Sequence, residues 1–215
     1  MKLGIFDSGI GGEAVATALQ TTFPHAAIIT VNDHKNVPYG NKTFEEVTRL
    51  TDATIQPLLQ ADCDIIILAC NTATMAAIEI LRARYPQQKF IGLEPMIKPA
   101  ALLTKTNTIA VCATPASLAS TRYHKLIERY ATHLTILEPD CSEWAYMIQN
   151  NRINRQRIEE TINTLCDHGA DVIILGCTHY HWIKDLIIEI TAGQTQALEP
   201  SEAIGRRVTQ LLESR

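Results

Sequence analysis

Two cysteines of this chain close near-identical segments. Ala61-Asp62-Cys63-Asp64-Ile65-Ile66-Ile67-Leu68-Ala69-Cys70-Asn71-Thr72 and Gly169-Ala170-Asp171-Val172-Ile173-Ile174-Leu175-Gly176-Cys177-Thr178 each run from an acidic head through an apolar stretch to a thiol. A cysteine acts as a base only as its thiolate, and a free thiol ionises near pH ~8.5, so each needs a neighbour to handle its proton. Asp7, just after the apolar run Lys2 to Phe6, is such a neighbour for Cys70, and His179, two positions beyond Cys177, is one for the second thiol. Inverting a carbon removes a proton from one face and delivers another to the opposite face, and a matched pair of acid/base groups suits that task. Asn71, Thr72 and Thr178 follow the thiols at expected helix N-termini, where free N–H groups and the helix dipole favour a thiolate and a substrate carboxylate. Taken singly, each cysteine reads as a small buried hydrophobe. Their matched positions favour chemistry.

The elements that must position these residues are written in the hydrophobic pattern. Short β-rich apolar runs alternate with longer amphipathic stretches, the mark of parallel strands connected by helices, so the expected class is α/β. Strands are expected near Lys2 to Phe6, Ala27 to Val31, Asp64 to Ala69, Lys89 to Leu93, Thr108 to Cys112, Leu134 to Leu137, Asp171 to Gly176 and Thr195 to Leu198. From Cys70 to Cys177 the offset is 107; from Leu93-Glu94-Pro95 to Leu198-Glu199-Pro200 it is 105; from Ile5-Phe6-Asp7-Ser8 to Val111-Cys112-Ala113-Thr114 it is 106. One shared offset of about half the chain predicts two pseudo-symmetric three-layer α/β halves with mainly parallel sheets and an active site in the cleft between them. The first half is expected over 1–94, completed by a C-terminal helix over 198–215, and the second over 95–197. Ligands of open parallel sheets bind outside the carboxyl ends of the strands, where Asp7, Cys70, Thr114 and Cys177 all fall.

Composition narrows the function classes. The chain has 215 residues, 46% hydrophobic, with net charge -4, enough for buried cores and without the basic stripe that nucleic acid requires. No segment reaches the roughly 20 apolar residues of a membrane span, and the N-terminus does not read as a signal peptide. Six scattered cysteines in a chain of this size favour free thiols in a reducing cytoplasm. Gly9-Ile10-Gly11-Gly12-Glu13-Ala14 with Asp33 formally fits a dinucleotide fingerprint, yet Asp7 would set its charge against a bound pyrophosphate; the glycines also suit a plain strand-to-helix turn. Cys70 with His179 would suit a cysteine hydrolase, but that scheme has no use for a second matched cysteine. Cys177, His179 and His181 do not complete a tetrahedral metal set, and His25, His34, His124, His133 and His168 read as surface or loop residues. No cofactor and no metal are expected.

Five ordered motifs, Phe6-Asp7-Ser8-Gly9-Ile10-Gly11-Gly12, Asp33, Pro38-Tyr39-Gly40, Ala69-Cys70-Asn71-Thr72 and Gly176-Cys177-Thr178-His179-Tyr180, resemble the glutamate racemase family over about 175 residues. The resemblance implies interconversion of L- and D-glutamate without pyridoxal phosphate, by Cys70 and Cys177 as bases assisted by Asp7 and His179, supplying D-glutamate for peptidoglycan. It implies substrate contacts from Ser8, Pro38, Tyr39, Gly40, Asn71, Thr72, Thr114 and Thr178, and from Ser117 where the family usually has threonine. Dimers are common in the family, so a homodimer is implied as well. Three departures stand out: Gln149 where the family carries an assisting glutamate, His181 where it usually has proline, and a tail of only 38 residues after Cys177. They leave open an aspartate or other acidic substrate, or a catalytically weak relative with a binding or regulatory role.

Overall fold

The computed structural model describes residues 1–213. It divides into two compact units, one holding Met1–Glu94 with the chain from Pro200 onward, the other Pro95–Glu199.

In the first unit, β1 (Lys2–Asp7), β2 (Ala27–Asn32), β3 (Ile65–Leu68) and β4 (Lys89–Gly92) form one sheet in the order β2-β1-β3-β4, with every neighbouring pair parallel. Helices α1 (Gly11–Thr22), α2 (Phe44–Thr54), α3 (Gln56–Gln60) and α4 (Asn71–Arg84) connect the strands. All of Ile65, Ile66, Ile67 and Leu68 are fully buried, because an interior parallel strand is covered on both faces and so reads as a continuous apolar run. Successive residues serve opposite layers: Leu3, Ile5, Ile65 and Ile67 pack with Val15 and Leu19 of α1, while Phe6, Ile66 and Leu68 pack with Val47, Leu58 and Ile78 of α2, α3 and α4. Each such side chain contributes roughly 1.5–3 kcal/mol by leaving water. α2 starts where the sequence marks it, with Thr43 Oγ1 accepting from the Glu46 N–H at 3.2 Å.

The second unit repeats this plan. β5 (Thr108–Ala113), β6 (Thr135–Leu137), β7 (Val172–Gly176) and β8 (Gln196–Leu198) are parallel in the order β6-β5-β7-β8, which is the first sheet's order with each strand number raised by four. Its helices are α5 (Ile97–Leu103), α6 (Pro115–Leu118), α7 (Thr121–Tyr130), α8 (Trp144–Gln149), α9 (Arg155–Asp167) and α10 (Lys184–Ile190). Ile109, Val111, Val172 and Ile174 pack with Ile97 of α5 and Tyr123 of α7. The chain then returns to the first unit as α11 (Ser201–Glu213), whose Ile204 and Val208 join the layer of Leu3, Ile5 and Ile91. Of the helix expected over 198–215, positions 214 and 215 lie outside the described residues.

The acidic heads of the matched strands act as clamps. Asp64 Oδ2 accepts from the Lys2 N–H at 2.7 Å, and Asp171 accepts from Thr104 Oγ1 at 2.6 Å and from the N–H groups of Lys105 and Thr106 at 2.6 and 3.2 Å. Each carboxylate therefore ties the start of its strand to the chain entering the neighbouring one.

Two expectations need correction. The second half does not end at 197, because β8 pairs with β7 through Leu198 and holds that residue in the second unit. Cys177 does not precede an α-helix; it opens a 3-10 segment, Thr178–Ile183, and α10 begins only at Lys184. In a 3-10 turn side chains three apart eclipse, which places the fully buried Tyr180 and Ile183 on one inward edge. Among the described residues no helix is long and apolar enough to cross a membrane.

Candidate active site

Strand register in the first unit pairs Phe6 with Leu68 and Asp7 with Asn32. Asp7, Ser8, Asp33 and Cys70 thus gather at one carboxyl edge of the sheet. Cys70 occupies the turn from β3 into α4, and Thr74 Oγ1 of that helix donates back to the Leu68 carbonyl at 3.1 Å, which fixes the turn. Ser8 Oγ donates to Cys70 Sγ at 3.4 Å. Burial, and secondly the Asp7 carboxylate, push the Cys70 thiol up to about 12, against the Ser8 hydroxyl and the N–H groups of Ala73 and Ser8. Cys70 accordingly rests as a thiol at neutral pH, with a fully buried carboxylate beside it.

The glycine loop serves Asp7. The Gly9 N–H donates to Asp7 Oδ1 at 2.8 Å, and a Cβ on Gly12 would lie 2.6 Å from Asp7 Cβ. The first turn of α1 can pack against Asp7 only without a side chain at Gly12, which is a sufficient reason for the glycine-rich pattern.

Tyr39 opens the 3-10 turn Tyr39–Asn41, with Pro38 at its cap and Gly40 inside it. Its hydroxyl donates to Asp33 Oδ2 at 2.8 Å, and Asn36 Nδ2 holds both oxygens of that carboxylate at 2.9 and 3.0 Å. Burial first, then Asp33, push the Tyr39 hydroxyl far above its ordinary range, so it remains a neutral donor. Asn71 and Thr72 are buried at the start of α4. Among the described residues, both amide atoms of Asn71 are buried without a hydrogen-bond partner. Unpaired buried polar groups are costly, and two on one side chain beside a thiol point to a ligand.

In the second unit Ala113 pairs with Gly176, which sets Thr114 beside Cys177 at the carboxyl edge of that sheet. A Cβ on Gly176 would come within 2.9 Å of Ala113 Cβ and 3.1 Å of the Cys112 carbonyl oxygen, so the residue before the thiol has no room for a side chain. Thr114 caps α6: its Oγ1 accepts from the Ser117 N–H at 3.3 Å and donates to Ser117 Oγ at 3.0 Å. Cys177 Sγ lies 3.7 Å from His179 Nδ1, and His179 Nε2 lies 2.8 Å from Gln149 Oε1. Thr178 and His179 are both buried.

Within the first unit Asp7, Ser8, Cys70, Asn71 and Thr72 lie at or beside one strand edge, with Tyr39 tied to that edge through Asp33; Thr114, Ser117, Cys177, Thr178 and His179 form the corresponding set in the second. Sequence reasoning missed Asp33 as the partner of Tyr39 and treated Gln149 only as a departure. The spacing of six from Asp33 to Tyr39 around a 3-10 turn was a usable signal for the former. Nothing local announces the latter, which is brought to His179 from 30 positions away.

Two parallel α/β units of one strand order, each following an interior strand with a buried thiol, define a repeated fold. Residues 13–203 match the family described as Asp/Glu/Hydantoin racemase, and the chain belongs to that family. A glutamate racemase of Herpetosiphon aurantiacus is 35% identical over 98% of this chain and 84% of its own length. The glutamate racemase of Francisella tularensis, solved in complex with D-glutamate, matches at 28% identity and a TM-score of 0.82, covering 99% of this chain and 80% of that one. The Escherichia coli glutamate racemase, solved with L-glutamate and the activator UDP-MurNAc-ala, shares the fold at a TM-score of 0.91 and 24% identity, covering 100% and 83%.

Proposed function

We propose that this protein interconverts L- and D-glutamate by two-base proton transfer, with Cys70 serving one face of the α-carbon and Cys177 the other, and without pyridoxal phosphate or metal. The observation that carries the reading is the matched placement of two buried thiols, each beside its own proton-handling group. One thiolate takes the α-proton while the opposing thiol supplies a proton to the other face, and the charge passing through the carbanion spreads into the α-carboxylate. Asn71, Thr72 and Thr178, at the segments following the thiols, together with Ser8, Tyr39, Thr114 and Ser117, supply donors that hold that carboxylate and the substrate's polar ends. Asp7 and His179 relay the proton of the nearer thiol. D-Glutamate made this way would feed peptidoglycan synthesis in the cytoplasm.

Circular dichroism with each enantiomer of glutamate and aspartate, together with deuterium uptake at the α-carbon from heavy water, tests the reading. Glutamate is expected to racemise and exchange, and Cys70→Ser or Cys177→Ser to lower turnover by about a hundredfold or more. Full turnover in either variant excludes the scheme. The neutral Gln149 beside His179 supports a second reading, a weakly catalytic relative with a binding role. Absence of rotation change and exchange with every acidic amino acid selects it.

A further inference from the structure

Resting on the two-thiol reading, we infer that Gln149 is a positioning residue: it fixes His179 with its hydrogen on Nε2, leaving the Nδ1 lone pair to take the proton of Cys177. An amide oxygen only accepts, so a 2.8 Å contact from Gln149 Oε1 to His179 Nε2 requires Nε2 to donate. The neutral ring then carries no hydrogen on Nδ1, the atom that lies 3.7 Å from Cys177 Sγ. The frame around the contact is rigid. Gln149 ends α8, whose Trp144 packs edge-on to Tyr180 with centroids 5.4 Å apart, and the Tyr180 hydroxyl donates to the Cys141 carbonyl at 2.8 Å. Tyr180, the residue after His179, is thereby held to α8 through Trp144 and to the loop before it through Cys141.

The proton step balances within the chain. The Cys177 S–H bond breaks, its electron pair stays on sulfur, and the hydrogen joins the Nδ1 lone pair, giving a thiolate and an imidazolium whose Nε2–H still points at Gln149. A carboxylate at this position would stabilise the imidazolium by charge; the amide offers only a dipole. Gln149 thus orients the base without setting a charge beside the ring.

Nitrogen-15 NMR of the ligand-free full chain, with His179 assigned by difference against His179→Gln, reads the tautomer directly. The expected spectrum has the hydrogen on Nε2. Gln149→Leu is expected to lose that preference and to lower kcat by about tenfold or more with KM within about threefold, as misorienting a proton-transfer group does. Gln149→Glu is expected to restore the tautomer and raise the pH at which the ring titrates by about one unit or more, the sign of a nearby opposite charge. A hydrogen on Nδ1 in the unaltered chain, or a Leu variant with unchanged tautomer and kcat, overturns the inference. Since the tautomer is read without substrate, an Nε2–H ring in a chain that exchanges no α-proton leaves this inference standing and removes the racemase reading instead.

Discussion

At the residue scale, the fold constrains the protonation of the His181 side chain. Its side chain is only 6% exposed, its Nε2 has no hydrogen-bond partner among the described residues, and its Nδ1 lies 4.0 Å from Glu199 Oε2, a carboxylate already shared with Lys184 Nζ at 3.5 Å. Burial lowers its pKa to about 4, outweighing the opposing pull of Glu199 and aided by Lys184. An unfolded histidine titrates near ~6.5, so between there and about 4 the unfolded chain binds a proton that the folded chain does not. Stability is therefore expected to fall as pH drops through this window, by an amount on the order of 3 kcal/mol for the whole shift. Urea unfolding at pH 7 and pH 4.5 is expected to show a smaller drop in His181→Gln than in the parent. Equal drops in the two proteins would contradict the assignment.

At the scale of elements, the clamps at the strand starts make a second prediction. Burial alone would raise the Asp171 carboxyl, but the hydrogen bonds from Thr104, Lys105 and Thr106 outweigh it and hold the group below the usual carboxylate range. A depressed folded pKa contributes stability that is complete above the unfolded value near ~3.9 and is lost as pH falls through the folded one. Asp171→Asn is expected to cost about 1–2 kcal/mol near neutral pH, and the cost is expected to shrink below about pH 4. Denaturant titrations of both proteins across that range check this; a cost independent of pH would assign the effect to packing alone. The interior strands β1, β3, β5 and β7 were legible in the sequence, since each is a buried, mainly apolar run. The 3-10 segment after Cys177 was not, because Thr178–Ile183 takes that form from the inward packing of Tyr180 and Ile183.

At the scale of the whole molecule, the chain writes one strand order twice but closes the two units differently. The second is continuous from Pro95 to Glu199, whereas the first is left at Glu94 and completed only when α11 lays Ile204 and Val208 on the layer of Leu3, Ile5 and Ile91. A fragment covering 95–199 is expected to melt cooperatively by circular dichroism, and a fragment covering 1–94 to fail, since uncovered apolar side chains forfeit roughly 1.5–3 kcal/mol each. Joining 201–213 to 94 through a short glycine linker is expected to restore folding. Cooperative melting of 1–94 alone, at the temperature of the linked form, would show α11 to be dispensable.

The sequence by itself determined the α/β class, the repeated plan and the residues suited to chemistry, because buried parallel strands and strand-end motifs are local patterns within a dozen residues. It marked Cys70 and Cys177 through their shared offset, Asp7 through its place after the first apolar run, and His179 through its nearness to Cys177 in the chain. Tertiary structure alone decided the strand order, the protonation setting of Cys70 and the partners of Tyr180 and His179. Tyr180 meets the carbonyl of Cys141, 39 positions earlier, and His179 meets Gln149, 30 positions earlier. Such contacts depend on how helices pack over a sheet, and packing joins residues whose separation along the chain carries no signal of their meeting.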